Sequence, residues 1–406
     1  MSAWHVVMVG PFGLRPRMTM QVRALPLAKS LIAQGHQVTI LLPPWQNPKD
    51  GGRCWEEEGV RIENVLLPCD IPAWFQWRLT SRLVSRLRML QPDIIHAFKP
   101  KAYAGLTHLA VARRYPVVVD TDDWEGPGGW NRFGNYSAGM RRFFAWQERW
   151  GLRHADAVTA ASRALQTLTW SLGGEPERVF YLPNGTRAVS PRPPTPPAGR
   201  PTVLLYTRFF EYQLDRLWRI LSGVRAQRPV VRFLVVGKGF AGEERRLLRI
   251  ATQAGWRVSE PDAVEGNADL VYVGWGTAAR LERSLAAADL GIYPFDDTLL
   301  NRTKCPVKLL DLLAAGIPVV GDSVGQIAEI IVPGKTGILV QPGDDAGFTA
   351  AIVAMLKDSR RLMDMQAAAA ADIAQRYDWD SLSRVAAAAY RFALHRSTRG
   401  ATLDMV

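Results

Sequence analysis

Cysteine is scarce in this 406-residue chain. Cys54, Cys69 and Cys305 are its full complement, too few and too scattered for a disulfide framework or a zinc site. That usage fits a reducing compartment. Long apolar runs are missing too, since none approaches the roughly 18–20 residues that span a bilayer. The opening MSAWHVVMVG has no basic region ahead of its apolar run, so no secretory signal is expected there and the run reads as a first strand. No short-period repeat is present, and low complexity is confined to one proline-rich stretch.

The length suits two domains of about 200 residues each. The net charge of +12 is uneven: residues 1–199 hold 24 Lys and Arg against 15 Asp and Glu, whereas residues 200–406 hold 26 against 23. The first half therefore points to something anionic, such as a membrane surface, a phosphorylated ligand or nucleic acid.

Strands and helices alternate along both halves. In the first, His5–Val9, Gln37–Leu42, Asp93–Ala97, Val117–Asp120 and Ala157–Ala160 read as strands. Met20–Ala33, Trp74–Leu90, Ala102–Arg114, Gly139–His154 and Ser162–Leu172 read as helices. The strand segments at 93–97 and 117–120 are almost continuously apolar, as when both faces of a parallel sheet are covered. Arg187–Pro201 carries six prolines in fifteen residues and reads as a stiff linker. After it the alternation resumes with Thr202–Thr207, Val231–Val236, Leu270–Val273, Leu290–Pro294, Ile317–Val320 and Gly337–Val340. The pattern predicts an α/β protein of two doubly wound, Rossmann-like domains, with a ligand cleft where they face each other. Expected boundaries are 1–186, the linker 187–201, a second domain 202–380, and a C-terminal helix 381–406 returning to the first domain.

The stretch KCPVKLLDLLAAGIPVVG, Lys304 to Gly321, sets one carboxylate, Asp311, in an otherwise apolar helix behind Lys304 and Lys308. Pro306 suits a first helical position and Gly316 a stop. A charge among Leu309, Leu310, Leu312 and Leu313 is costly without a partner. It pairs with Lys308 three residues away, or it holds a ligand diol while phosphates sit at the cationic helix start. Both readings stay open on the residues alone. Cys305 is either a small buried side chain or a neighbour of that ligand.

Ligands in doubly wound sheets bind beyond the carboxyl ends of strands. Gly10–Pro11–Phe12–Gly13 follows the first strand and could offer backbone N–H groups to a phosphate, though it also reads as a plain turn. Arg208 holds the matching place after Thr202–Thr207, and its fork suits a diphosphate. Asp120, Asp122 and Asp123 crowd another strand end, so at least one needs a cationic partner or a raised pKa. They would serve as acceptor-hydroxyl base, as substrate clamp or as a metal site, the last disfavoured because no His or further acidic spacing supports it; in the bland reading they cap a helix and are solvated. Trp74–Leu90 sets Arg78, Arg82 and Arg86 on one face and Leu79, Leu83, Leu87 and Leu90 on another, behind two tryptophans. That suits either a core-packing helix or one resting on anionic lipid, and RRFFAWQERW at Arg141–Trp150 adds a second aromatic–basic stretch.

GHQVTILLP at Gly35–Pro43, PDIIHAF at Pro92–Phe98, ADAVTAAS at Ala155–Ser162, LPNGT at Leu182–Thr186, and LLAAGIPVV followed by VPGKTGILVQPGD together resemble the GT-B glycosyltransferases of the retaining glycosyltransferase 4 type, over nearly the whole chain. The resemblance implies sugar transfer from a nucleoside diphosphate sugar, UDP-linked for instance, to a glycan or lipid-linked acceptor. It implies closure of the two domains on the donor, and no metal or other cofactor. The family's ribose-holding glutamate falls on Asp311, and its donor-sugar glutamate on Thr303. The Arg and Lys of its diphosphate clamp fall on Arg208 and Gln213, with Lys304 or Lys308 to compensate. Its N-domain histidine falls on Asp122, its phosphate-facing backbone on Cys305, Pro306 and Val307, and its glycine loop on Gly13. Asp122 and Asp123 are then the expected catalytic groups, with Asp120 beside them. A cytoplasmic location, peripheral on the inner membrane face through residues 74–90, would follow. A sugar-nucleotide-binding subunit without activity, or a GT-B epimerase, would use the same donor half. Nucleic-acid binding is not expected, because no recognition motif accompanies the charge.

Overall fold

The computed structural model describes residues 3–69, 72–134, 136–186, 193–195, 199–259 and 267–403. Most of the linker expected at 187–201 lies outside them. The chain divides into two compact units. One comprises Met1–Arg187, Thr303–Cys305 and Trp379–Val406; the other comprises Ala188–Arg302 and Pro306–Asp378.

In the first unit eight strands form one sheet: β1 (His5–Val9), β2 (Gln37–Leu42), β3 (Cys54–Glu57), β4 (Val60–Asn64), β5 (Ile94–Phe98), β6 (Val117–Thr121), β7 (Ala157–Ala160) and β8 (Val179–Tyr181). Their order is β3-β4-β2-β1-β5-β6-β7-β8, parallel except where β3 runs against β4. The inner strands are buried along their whole length because helices cover both faces, and apart from His96, Asp120 and Thr121 the two central ones are apolar. The chain winds outward from β1 and then returns past it to β5, so the loops after β1 and β5 flank the point where the order reverses. Crevices for ligands form there. The helix Trp379–Leu403 packs on Leu25–Ala33, where Ser30 Oγ donates to Asp380 at 2.8 Å.

The second unit repeats the plan with β9 (Thr202–Thr207), β10 (Arg232–Gly237), β11 (Val258–Ser259), β12 (Leu270–Gly274), β13 (Leu290–Tyr293), β14 (Val319–Asp322) and β15 (Gly337–Val340), in the order β11-β12-β10-β9-β13-β14-β15. Its reversal lies between β9 and β13, which brings Arg208 to the crevice.

Two local readings change. Pro306 caps the helix Val307–Ala314 from outside, with ψ at 90°, and is not its first residue. The strand expected at Ile317–Val320 begins two residues later, at Val319. Ile317 is still closing the helix: its N–H reaches Leu312 O and that of Gly316 reaches Leu313 O, with Gly316 left-handed at φ +74°. Those two bonds are a Schellman stop. Pro318 then has no N–H to give a ladder.

Candidate functional site

In the first unit one ionic lattice is fully internal. Arg23, the one charged residue on its turn of helix, is 1 % exposed. Its Nε and Nη2 donate to the two oxygens of Asp120 at 2.8 and 2.6 Å, and Nη1 donates to Asn184 Oδ1 at 3.0 Å. Thr159 Oγ1 adds a bond to Asp120 at 2.7 Å. The guanidinium beside Asp120 holds its carboxyl below the usual range despite burial. Asp120 is therefore removed from the substrate-binding set: it is 0 % exposed and its oxygens are committed. The His96 of the PDIIHAF strand is likewise internal. It is bonded to Tyr390 Oη and Thr159 Oγ1, and burial lowers its pKa to about 4.

The same lattice holds Thr303 and Cys305. Ser162 Oγ donates to Thr303 O at 2.7 Å. The backbone N–H of Asn184 donates to Cys305 Sγ, and its amide donates to Cys305 O, both at 3.2 Å. Thr303 is 0 % exposed, and burial pushes the Cys305 thiol up to about 12. Neither side chain is exposed to a donor, which corrects the assignment of Thr303; the expectation for Cys305 concerned its backbone, whose carbonyl is taken by the Asn184 amide. Lys304 between them is half-buried. The asparagine of LPNGT thus explains itself as a clamp on this segment.

Beyond β5 and β6 lies a second cluster. Lys99 Nζ stands 2.8 Å from Asp122 Oδ1, 3.0 Å from Asp123 Oδ2 and 3.4 Å from Glu125 Oε1. Lys101 Nζ is 2.6 Å from the other Glu125 oxygen, and it also sits 4.8 and 4.7 Å over the rings of Tyr136 and Phe144. The backbone N–H of Glu125 donates to Glu148 Oε1 at 3.0 Å, while Glu148 Oε2 is buried without a hydrogen bond. Burial pushes Glu148 well above the usual carboxylate range, with the N–H of Glu125 opposing. Asp122 rises to about 6, first through burial, with Lys99 opposing. Lys99 and Ala102 both adopt left-handed backbone, at φ 57° and 50°. That conformation costs about 1–2 kcal/mol per non-glycine residue and is kept where surroundings enforce it. Asp122 and Asp123 do come together as expected. Lys99, Lys101, Glu125 and Glu148 were not foreseen, because the partners lie on three separate segments.

The glycine loop is less specific than its sequence. A Cβ on Gly13 would meet only ordinary contacts at 3.5 Å, whereas one on Gly10 would fall 2.8 Å from Leu42 Cδ2 and 2.9 Å from Met20 Sδ. Gly10 is therefore required by packing, and Gly13 is not.

In the second unit Asp311 faces a different setting. No hydrogen bond or ion pair among the described residues engages its carboxylate, which burial lifts to about 6 while Lys308 opposes. The expected Lys308–Asp311 pair does not close. Instead Lys308 Nζ lies 4.9 Å over the Tyr206 ring and 5.5 Å over that of Trp275. The Arg208 guanidinium lies 4.7 Å over Phe240 and 5.2 Å over Trp275, a ring 56 % exposed. Two cations stacked on shared aromatics beside a desolvated carboxylate offer donors for phosphate and acceptors for a diol. The Arg208 backbone is fixed by Glu211, whose Oε2 accepts its N–H at 3.1 Å, and Phe209 after it is left-handed at φ 65°. Gln213, in the family's lysine position, is exposed and precedes the helix Leu214–Gln227; its N–H bonds Asp296. Asp322, just outside the expected strand, anchors Arg216 with two bonds of 2.8 Å. Pro306 is buried and Val307 half-buried at the head of the helix that carries Asp311.

On the helix Pro72–Leu90, Leu79, Leu83 and Leu87 are fully buried and Arg86 is bound to Glu63 at 2.6 Å, so the bland reading holds for its middle. Its start does not follow: Trp74 and Trp77 are 62 % and 69 % exposed. No helix among the described residues is long and apolar enough to cross a membrane.

Two family models match the chain, a glycosyl transferase 4-like domain over residues 19–185 and glycosyl transferases group 1 over 200–358. The glycogen synthase of Mycobacterium tuberculosis is 23% identical over 388 residues, covering 90% of this chain and 88% of that protein. A GDP-mannose-dependent alpha-mannosyltransferase of the same species is 27% identical over 335 residues, 76% of each chain. Among solved structures, sucrose-phosphate synthase from Thermosynechococcus elongatus superposes with a TM-score of 0.71 at 17% identity, over 96% of this chain and 98% of that one. Anabaena HepE in complex with UDP gives 0.67 at 19%, over 94% and 98%.

Proposed function

This chain belongs to the GT-B glycosyltransferases of the glycosyltransferase 4 type, and on that premise we propose that it moves a sugar from a nucleoside diphosphate sugar to an acceptor hydroxyl, with retention of configuration, on a lipid-linked acceptor. The observation that carries the donor half is Asp311: a desolvated carboxylate with no hydrogen bond or ion pair among the described residues, acted on by Lys308, whose Trp275 support also carries Arg208. A ribose diol satisfies it with two hydrogen bonds. Arg208 and Lys308 take the diphosphate, whose leaving oxygen gains charge as the glycosidic bond breaks. Cations already in place there lower the barrier without reorganising. Side chains supply this charge, so the reading needs no metal ion.

Asp122 and Asp123 orient the acceptor hydroxyl in the first unit. Lys99 holds both, so that crowded carboxylates share one cation instead of repelling. The lipid reading rests on the ends of two helices. Pro72–Leu90 and Ala138–His154 lie on either side of Ala102–Val111, which hydrogen-bonds to both through Tyr103–Gln76 and Ala102–Gln147. All three connect parallel strands, so they start at the sheet's carboxyl end, the end that carries Asp122. Trp74, Trp77, Phe143 and Trp146 are exposed near those starts, with Arg78, Arg141 and Arg142 among them. Aromatic rings flanked by arginine fit the interface of an anionic bilayer.

Thermal-shift and calorimetric titration with UDP, GDP, ADP and dTDP test the donor half. One of them should raise the melting temperature of the wild type, and Asp311→Ala should weaken it by about tenfold to a hundredfold. No binding of any of the four, or undiminished binding by the variant, overturns the reading.

A further inference from the structure

We propose that the first unit carries a second ligand site, a groove for a phosphorylated polyol such as a sugar phosphate, at the end of its sheet opposite the acid cluster. The groove runs between the helices Leu25–Ala33 and Trp379–Leu403 and has a volume of about 510 Å³. Its depth comes from small residues: Ala33 and Ala387 line it where larger side chains would fill the seam.

The rim has two chemistries. Arg384 and Arg391, seven residues apart and so on one face of their helix, line it together with His36, which feels the charge of Arg391. Both arginines are exposed, and Arg384 makes a single bond of 3.0 Å to Ser381 Oγ. The backbone N–H of Trp4 donates to His36 Nδ1 at 3.3 Å, and the Trp4 ring stacks on the imidazole at 4.8 Å. With Nδ1 accepting, the neutral ring carries its proton on Nε2. Two planar forks and a ring N–H make a set of donors with no acceptor among them, which is what a phosphate dianion needs. Asp380, held by Ser30, and Gln34, whose amide N–H donates to Ser383, line the same groove and present oxygens to hydroxyl groups. An inorganic anion would use half of this rim, and a neutral sugar the other half.

Position separates this groove from the transfer chemistry. The helix Leu25–Ala33 runs antiparallel to β1 and β2, so its last turn and His36 lie at the amino ends of the strands. Substrates of doubly wound sheets bind at the carboxyl ends. A ligand here would bind without touching Asp122 or Asp123, and by bridging two helices it would stabilise the unit that carries them.

Calorimetry and thermal shift on the full chain, at fixed ionic strength, test this with glucose 6-phosphate, inorganic phosphate, glucose and vesicles containing phosphatidylinositol. Glucose 6-phosphate should titrate to one site and raise the melting temperature. Inorganic phosphate should bind at least about tenfold more weakly, and glucose should not bind measurably. Binding of the vesicles through the same arginines would assign the phosphate to a lipid headgroup in place of a soluble ester and overturn the sugar-phosphate assignment. The double variant Arg384→Ser/Arg391→Ser should abolish glucose 6-phosphate binding. Ala33→Phe, which fills the groove and removes no charge, should do the same. Nucleoside diphosphate binding in the same samples should stay at wild-type strength in both variants, which keeps this result separate from the donor reading. Equal binding of glucose 6-phosphate by wild type and Ala33→Phe, or no binding by the wild type, overturns the proposal.

Discussion

Each unit places carboxylates at the carboxyl end of its sheet, and the two units treat them in opposite ways. In the first, Asp120 is locked to Arg23, and Asp122, Asp123 and Glu125 share Lys99 and Lys101. In the second, Asp311 is half-buried on its helix, yet among the described residues it has no hydrogen bond or ion pair. Burial raises both Asp122 and Asp311 to about 6, so the pKa alone does not distinguish them. A closed ion pair does: Lys99 meets Asp122 at 2.8 Å, whereas Lys308 acts on Asp311 without an ion pair. A saturated carboxylate builds the scaffold or is positioned by it. An unsaturated one costs stability, and a protein keeps that cost where a ligand will meet it.

The sharpest way to break this contrast is to remove a cation from the saturated side. Arg23→Met leaves Asp120 buried and unpaired, and should cost about 3–5 kcal/mol of unfolding free energy in denaturant titration. A loss under about 1 kcal/mol would mean that the lattice is not structural. Next comes Lys99→Met. It removes the group that opposes the rise of Asp122, so the acid limb of the transfer rate should move to higher pH than in the wild type. Lys99→Arg should restore most of the profile, and an unchanged limb in Lys99→Met would detach Asp122 from the reaction.

A smaller effect, of opposite sign, is expected at Asp311. Its folded pKa of about 6 lies above the ordinary 3.8, so its ionisation opposes folding. That burden is complete above pH 6 and fades as pH falls through 6 toward 3.8. Asp311→Asn should therefore stabilise the free protein by about 1–2 kcal/mol at pH 7.5 and hardly at all near pH 4, while weakening nucleotide binding. Destabilisation at pH 7.5 would show that the carboxylate has an internal partner after all. The smallest change concerns the surface: Trp74→Ala/Trp77→Ala should lower binding to anionic vesicles several-fold and leave the melting temperature within a degree or two. Equal vesicle binding would remove these residues from the lipid reading.

Legibility differed by kind of feature. The alternation of apolar runs and helices was readable because both faces of a parallel sheet are covered, so its strands are mostly apolar, with few interruptions such as His96, Asp120 and Thr159. Asp311 was readable as a lone acid among leucines. Arg23 carries the same signature inside Met20–Ala33, and the signal that could have found it was there. What hid its role is that its partners, Asp120 and Asn184, lie 97 and 161 residues away. The Lys308–Asp311 spacing suggested a pair, but a spacing of three permits contact without requiring it, and aromatic rings claimed the lysine. Thr303 and Cys305 looked like donor contacts because the family's donor-sugar glutamate and phosphate-facing backbone fall on them, yet their side chains are buried in the first unit.

By itself, then, the sequence determined the two α/β units, the position of Asp311 on its helix and the places of Arg208, Asp122 and Asp123 at strand ends. Those follow from local periodicity and from the geometry of parallel sheets. Only the tertiary structure decided which charges are spent inside the protein and which remain for a ligand. Charge satisfaction is a property of distances across the fold, and residues a hundred positions apart in the chain leave no local trace of it.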